Sequence, residues 1–493
     1  MMGRVSMRID SLLEKRELAI YQLLLYLEDR KEAPSLKDIC HYLELSKLTL
    51  FRYIVSFNEE AEVTDLGLSF QLEDEKVFLK KKASLSLHRI LDYLCQTSTK
   101  YQIIVYLSDK EEVSIQQLAQ ELLISEATLN RHLASLNQIL AEFGIGIKSG
   151  RLKGSELQIR YFLHQMLSLT TTRAELQEEF MLGKIEALLP VFERFYQSPL
   201  NPKQAHRLLL WLMISQQRSR LRQLDFKHLY KLMEPYQEHK FYRRLRKMYF
   251  TLSQQQSTSF QEGEIMALFA FLFSHFILVP HQLEQVLGFG GPIMEATSLA
   301  LQKLRLYFEG NLPVSEEALY HLNQIMSQLY FFYSSVELEE VEASSFYSEA
   351  EDLLKDVYKS VFHRKVDKKI RNSYLTNIAD LYIYFGQVQP IQVKVAFASS
   401  LHEVLSYPLL LQLREKLEGN RQVLIEPYQA GYDYDLIITD YLENTSIPVY
   451  CLGNRLKIQD IVQLKAWIQD IYHQKSCQSE IMATKTSFPI EHR

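Results

Sequence analysis

Cysteine is scarce in this chain. Its 493 residues include four, Cys40, Cys95, Cys451 and Cys477, and no two have the spacing of a metal pair. That usage fits a reducing compartment rather than a disulfide scaffold. Tryptophan occurs twice, and glycine (16) and proline (13) are few, which excludes collagen-like and Pro/Gly-rich disordered chains. No apolar run approaches the roughly 20 residues that cross a bilayer. The stretch Met1 to Asp10 is polar and lacks the apolar core of a signal peptide. A cytoplasmic location without a membrane partner is expected. No phosphate loop, metal-ligand spacing or Ser-His-Asp set is legible, so no cofactor is expected and the chain does not read as an enzyme. Large net charge is absent too, since 55 Lys and Arg oppose 60 Asp and Glu. Any contact with a polyanion must therefore be a local patch.

What is present is a repeat. With 47% hydrophobic residues the chain is long enough for about three domains at roughly 100–200 residues each. Within its first third one unit is written twice. Tyr21–Leu27 (YQLLLYL) recurs as Tyr101–Leu107 (YQIIVYL), and the stretch from Ser35 to Asn58 aligns without a gap onto Ser114 to Asn137. The identical pairs are Ser35/Ser114, Leu43/Leu122, Ser46/Ser125, Thr49/Thr128, Leu50/Leu129, Arg52/Arg131, Ser56/Ser135 and Asn58/Asn137. Such self-similarity states a fold first.

In the second copy Ser114 caps a helix over Ile115 to Leu122, Leu123 and Ile124 make an apolar turn, and Ser125 caps a helix from Glu126. That order is a helix-turn-helix. Leu129, Leu133, Leu136 and Leu140 share one face of the second helix, and Thr128, Arg131, His132 and Ser135 share a polar one. In the first copy Leu50, Phe51, Ile54 and Phe57 should pack inward, leaving Lys47, Thr49, Arg52, Tyr53 and Ser56 outside. Hydroxyls, an arginine and a flat polar ring on an exposed stripe suit phosphates and base edges. With one arginine per helix, base discrimination should be modest and DNA shape should matter.

Each unit continues into an expected wing. Leu68–Leu72, an acidic turn Glu73 to Glu75, and Lys76–Lys80 form the first. Ile145–Lys148, a Ser149-Gly150 turn and Arg151–Arg160 form the second. Lys148, Arg151, Lys153 and Arg160 make the second wing cationic, as phosphate neutralisation requires. Residues 1–160 carry 21 Lys and Arg against 23 Asp and Glu, so a protein-docking winged helix is the alternative. The second unit is the better DNA reader, because three acids sit at the tip of the first wing.

From about Thr170 to Gly386 the pattern is helical, broken near Pro199 to Pro202, at Pro280 and at Gly288 to Pro292. His206, His275 and His321 stand in apolar helices without a local metal partner, where a structural role is the plain reading. Arg218 to Lys247 is strongly basic, and a solvated face is its default reading. After Pro390 strands and helices alternate as in a small parallel sheet. Ser399-Ser400-Leu401-His402 follows the first strand, and Cys451 should be packed within a later one. The tail after Ser476 reads as loose and polar.

Paired winged units, helical bundles with scattered histidines and a terminal α/β module resemble the Mga/AtxA family of virulence regulators. The resemblance spans about residues 5–475 and rests on domain order and the second helix-turn-helix. It implies a mainly α fold: tandem winged helix-turn-helix domains (5–82 and 83–165), two helical PTS-regulation-like bundles (170–285 and 286–390), a C-terminal α/β EIIB-like domain (391–475) and a polar tail (476–493). It also implies phosphorylation of His206, His275 or His321 by the phosphocarrier HPr, self-association into a homodimer or higher oligomer, and RNA polymerase as a partner. The expected function is a transcriptional activator on double-stranded DNA. The alternatives are a PTS-regulated RNA-binding antiterminator, whose RNA-binding part is β-rich where residues 11–58 here are helical, and a phosphotransferase component. Active phosphocarriers of the EIIB type hold a cysteine after the first strand, where this chain has Ser399 and Ser400.

Overall fold

In this computed structural model the described residues are 7–28, 30, 32–171, 183–255, 261–278, 290–308, 316–337, 346–364, 368–387, 393–417, 423–429, 431–441, 447–453 and 456–485. Pro280, Gly288, Phe289 and Pro390, used above as boundary marks, lie outside them. The chain is mainly helical and falls into two compact units: Met1–Ser298 with Leu319–Ala379, and Leu299–Ala318 with Asp380–Arg493. No helix among the described residues is long and apolar enough to cross a membrane.

The first unit opens with a short strand β1 (Met7–Arg8), followed by α1 (Lys15–Glu28), α2 (Leu36–Tyr42) and α3 (Lys47–Val63). A hairpin of β2 (Leu68–Glu73) and β3 (Lys76–Lys81) completes this block. The block is then rebuilt. Helices α4 (Leu87–Thr97), α5 (Thr99–Leu107), α6 (Ile115–Glu121) and α7 (Glu126–Leu140) precede the hairpin of β4 (Gly146–Lys148) and β5 (Arg151–Lys153).

The shared residues explain the shared geometry. Ser35 and Ser114 accept the Asp38 and Gln117 N–H groups, and Ser46 and Ser125 accept those of Thr49 and Thr128. Each satisfies a helix N-terminal donor that would otherwise go unpaired. The turns between the paired helices cross the left-handed region at matching positions, Glu44 (φ 53°) and Leu123 (φ 54°).

The second wing is shorter than expected, and this corrects the sequence reading. It ends at Lys153, and α8 (Glu156–Thr170) begins three residues later. Arg160 is therefore a core residue of α8 with no exposed surface. Residues 156–160 belong instead to a helix buried on all sides from Glu156 to His164, and a segment buried all round carries no period by which the sequence tells strand from helix. Its polar residues find partners inside. Gln158 donates to the Phe331 carbonyl at 2.7 Å. Glu156 accepts from Arg160 at 2.8 Å and from Arg218 at 2.7 and 2.8 Å, and Arg160 donates to Glu264 at 2.6 Å. Arg218 also caps the Ser108 carbonyl at the end of α5, at 2.7 Å, so it is not part of the solvated basic face expected of it.

Glu264 opens the apolar helix Glu262–Ser274, and Arg218 closes the helix Pro202–Arg218. The quartet thus ties α5, α8 and two helices of the middle into one body. Burial alone would raise the Glu156 carboxyl, but Arg160 and Arg218 outweigh it and hold the group below its ordinary value. In the same unit β1 pairs in parallel with β6 (Val336–Glu337), strapping the N-terminal segment to the middle.

The second unit contains a four-stranded parallel sheet of β7 (Val393–Ala398), β8 (Val423–Pro427), β9 (Leu436–Thr439) and β10 (Val449–Cys451), in the order β10-β9-β7-β8. The helices Glu403–Leu417 and Ile458–Lys485 pack Leu410, Leu413, Leu464 and Ile468 against Val393, Val395 and Phe397. Two expectations change here. Cys451 is exposed on the edge strand rather than packed. The final helix continues to Lys485, so the first part of the expected loose tail is helical.

Replacing Arg160 by alanine would strand Glu264 in the core without its bidentate partner. Urea denaturation of this variant is expected to lose about 3–5 kcal/mol of stability. A loss below about 1 kcal/mol would mean the quartet does not hold the unit together.

Candidate nucleic-acid interface

The interface is built on α7 and the β4–β5 wing. Leu129, Leu133, Leu136 and Leu140 are buried along one side of α7, which turns Arg131 outward as an exposed side chain. Thr128, His132 and Ser135 are half-buried beside it. The Thr128 hydroxyl shares a hydrogen bond with Ser125 at 2.9 Å and accepts from Arg131 at 3.4 Å. His132 Nδ1 lies 3.2 Å from the Glu14 carboxylate, so it also braces α7 against the chain leading into α1.

In the wing Lys148 faces Arg151, and Gly146 faces Lys153. Directly opposed residues and those two apart share a sheet face. Lys148, Arg151 and Lys153 therefore line one side, and Ile147 and Leu152 are buried on the other. The turn is Ser149 (φ 52°) and Gly150 (φ 62°), the two positive values of a tight hairpin. A Cβ on Gly150 would lie 1.6 Å from the Val113 carbonyl oxygen, so only glycine fits.

One positioning residue escaped the sequence reading. Asn137 donates to the Ile147 carbonyl (3.1 Å) and accepts from the Ile147 N–H (2.6 Å), clamping the wing to the reading helix. Asn58 does the same to Phe70 at 2.7 and 2.9 Å. Their identity in the repeat was the available signal.

The first copy keeps this scaffold and changes its edge. Arg52 is exposed and stacks over Tyr53 at 5.9 Å, while Thr49 and Ser56 are half-buried and bonded to Ser46 and Glu60. Lys47 is paired with Glu75 of the wing tip at 3.0 Å. Phe51, expected inside, is 50% exposed, and with Leu48 and Val55 it makes an apolar stripe. At the matching positions α7 has Ala127, Asn130 and Ala134. The turn enters α3 so that positions 50, 54 and 57 suffice to fill the core, which rotates Phe51 into solvent.

Two of the candidate histidines lie in helices, His206 and His321, whereas His275, expected within an apolar helix, is the residue that caps the end of Glu262–Ser274; these helices meet around residues 275–277. His206 is half-buried in the first turns of Pro202–Arg218, and His321 is half-buried against Phe276, at 5.8 Å between rings. From the His206 helix Arg207 donates to the His275 carbonyl at 3.2 Å, and Gln204 to that of Ile277 at 3.1 Å. His275 is buried among Phe271, Phe332 and Tyr161. A fourth ring, His164 of α8, was not anticipated; its centroid is 5.5 Å from that of His275. Burial pushes His164 down to about 3, and Arg207 and His206 add to the effect, although the bond to the Arg207 carbonyl opposes it. Burial likewise places His275 well below its ordinary value.

In the second unit the loop after β7 is closed on itself. The Ser399 hydroxyl donates to Asp440 at 2.8 Å, and the Ser400 N–H and hydroxyl donate to it at 2.7 and 3.0 Å. Among the described residues no group of acidic, histidine or cysteine side chains is arranged to hold a metal ion.

Residues 83–167 match the family model of the Mga helix-turn-helix domain. This stretch is similar to a regulator's DNA-binding module. It contains α4 to α7, the cationic wing and most of α8. The match supports the Mga/AtxA regulators as the relatives of this part of the chain and a DNA-binding role in transcription. No curated protein matches the chain.

Two outcomes follow from this geometry. Asn137→Ala leaves the Ile147 N–H and carbonyl without their clamp and should cost about 1–3 kcal/mol in urea unfolding. The histidine pair sets a pH dependence. Because the folded state holds His164 near 3 against an ordinary 6.5, the unfolded chain binds the proton more tightly. Stability is then full above about pH 6.5 and falls as pH drops toward 3. Urea midpoints should decline between about pH 7.5 and pH 5, less steeply in His164→Asn; identical slopes would remove His164 from the account.

Proposed function

We propose that the protein is a transcriptional activator that binds promoter DNA chiefly through α7 and the β4–β5 wing. The observation that carries this reading is the placement of Arg131, Lys148, Arg151 and Lys153 on exposed or half-exposed surface of the segment matching the Mga helix-turn-helix domain. Arg131 serves base edges or adjoining phosphates, and the wing lysines serve the backbone. The first copy acts as a second winged helix-turn-helix with a weaker hold. Its Lys47 is neutralised by Glu75, and its edge is apolar, which suits thymine methyl groups better than phosphates.

The helical middle plays the part of paired PTS-regulation domains, and its histidines are the phosphate acceptors served by HPr. His206 and His321 are the better acceptors, being half-buried, while His275 would have to leave its aromatic cage. A phosphoryl group brings about two negative charges and would rearrange helices that meet this closely. The C-terminal module is EIIB-like without phosphotransfer chemistry, since Asp440 occupies the donors of the Ser399–Ser400 loop. It serves self-association. Val404, Leu405, Tyr407 and Leu411 are exposed on a helix that also buries Leu410 and Leu413, and a helix apolar on both sides calls for a covering partner. RNA polymerase recruitment completes the activator reading.

Gel-shift titration on duplex promoter DNA tests the core of this proposal. Arg131→Ala should cost about 1–3 kcal/mol of binding. Lys148→Ala should weaken binding and make the plot of log affinity against log salt shallower by about 1. Unchanged affinity in both variants would turn the assignment toward protein docking.

A further inference from the structure

The segment that follows the helix Pro202–Arg218 runs beside the second wing, and four contacts hold it there. Arg218 is locked to Glu156 and the Ser108 carbonyl at its start. The Arg222 N–H donates to Glu111 at 2.7 Å, in the loop between α5 and α6. Arg151 of the wing donates to Gln223 at 2.6 Å. At the end the Glu156 N–H donates to the Asp225 carbonyl at 2.8 Å. A loop so anchored presents its remaining side chains in a set direction. Those are Arg220 and Arg222, both exposed, the Arg222 side chain to 89%.

The acids along this edge are largely engaged. Glu111 holds the Arg222 N–H and lies 4.0 Å from its guanidinium, Asp109 lies 3.3 Å from Lys110, and Asp225 accepts from the Lys227 N–H at 3.0 Å. Glu112 is a further exposed carboxylate there. Set against the four acids Asp109, Glu111, Glu112 and Asp225, the seven cations Lys110, Lys148, Arg151, Lys153, Arg220, Arg222 and Lys227 leave an excess of positive charge on an edge formed by two distant parts of the sequence.

We infer that Arg220 and Arg222 form a third DNA-contacting element, supplied by the helical middle, that binds the phosphate backbone next to the wing. This rests on the DNA-binding reading above and extends its footprint to residues outside the helix-turn-helix match. Guanidinium groups suit the task, since each fork can meet a phosphate with two parallel hydrogen bonds. Fixing the loop before binding reduces the ordering cost at the moment of contact.

The test uses the full chain and a fluorescein-labelled mixed-sequence duplex, followed by anisotropy over about 50–200 mM salt. Arg220→Ala/Arg222→Ala should bind about tenfold more weakly and flatten the log–log salt slope by about 1–2. Arg243→Ala/Lys247→Ala removes two exposed cations from the same basic stretch and should stay within about twofold of the parent. Equal weakening in both double variants would reduce the effect to net charge and overturn the inference. So would parental affinity in Arg220→Ala/Arg222→Ala while Arg131→Ala and Lys148→Ala still weaken binding. If none of the four variants changes binding, it is the DNA-binding reading itself that fails. Thermal melts by circular dichroism should match across the set, because every substituted side chain is exposed.

Discussion

Two glutamates and two arginines sealed inside the first unit are the constraint on which the rest of its architecture depends. Glu156, Arg160, Arg218 and Glu264 sum to zero charge, and they pair with one another while almost fully buried. Taking such charges out of water is costly unless the geometry is good and every partner is present. That makes the arrangement selective. Each residue comes from a different place in the chain or a different turn, so only one packing of α8 against the middle helices lets all four pair. Arg218 then reaches the end of α5, and the reading module is fixed to the helices that carry the histidines.

One turn beyond Arg160 on α8 lies His164, against His275 and the Arg207 carbonyl. The ion quartet and the histidine cluster are thus successive layers of one helix. A new charge on the His206 or His321 helices would enter a packed body whose other end holds the wing. Close-packed interiors pass such strain along rather than absorb it, which gives the proposed phosphate control a physical route.

The duplicated units show which parts of a helix-turn-helix are bound by backbone chemistry and which are open to change. Serine caps, the left-handed turn residue and the asparagine clamp persist because buried or terminal N–H and carbonyl groups must be paired. The outward positions beside the shared threonine, arginine and serine have no such duty. They differ, being Leu48, Phe51 and Val55 in one copy and Ala127, Asn130 and Ala134 in the other. In the C-terminal unit polar groups are paired in a comparable way, with Asp440 holding the Ser399 and Ser400 donors after β7.

By itself the sequence determined the repeat, the caps, both hairpins, the arginine-bearing stripes and the strand–helix alternation at the C-terminal end. These depend on local periodicity and on residues within one or two turns of each other. Tertiary structure alone decided that Arg160 and Arg218 belong to the core, that Phe51 and Cys451 face solvent, that His164 joins His275, and that a loop from residue 219 to 225 borders the wing. Each of those outcomes hangs on a partner about 50 to 180 positions away or on which neighbouring element covers a face, and a charge or an aromatic ring looks the same in the sequence whether its partner is water or a distant glutamate.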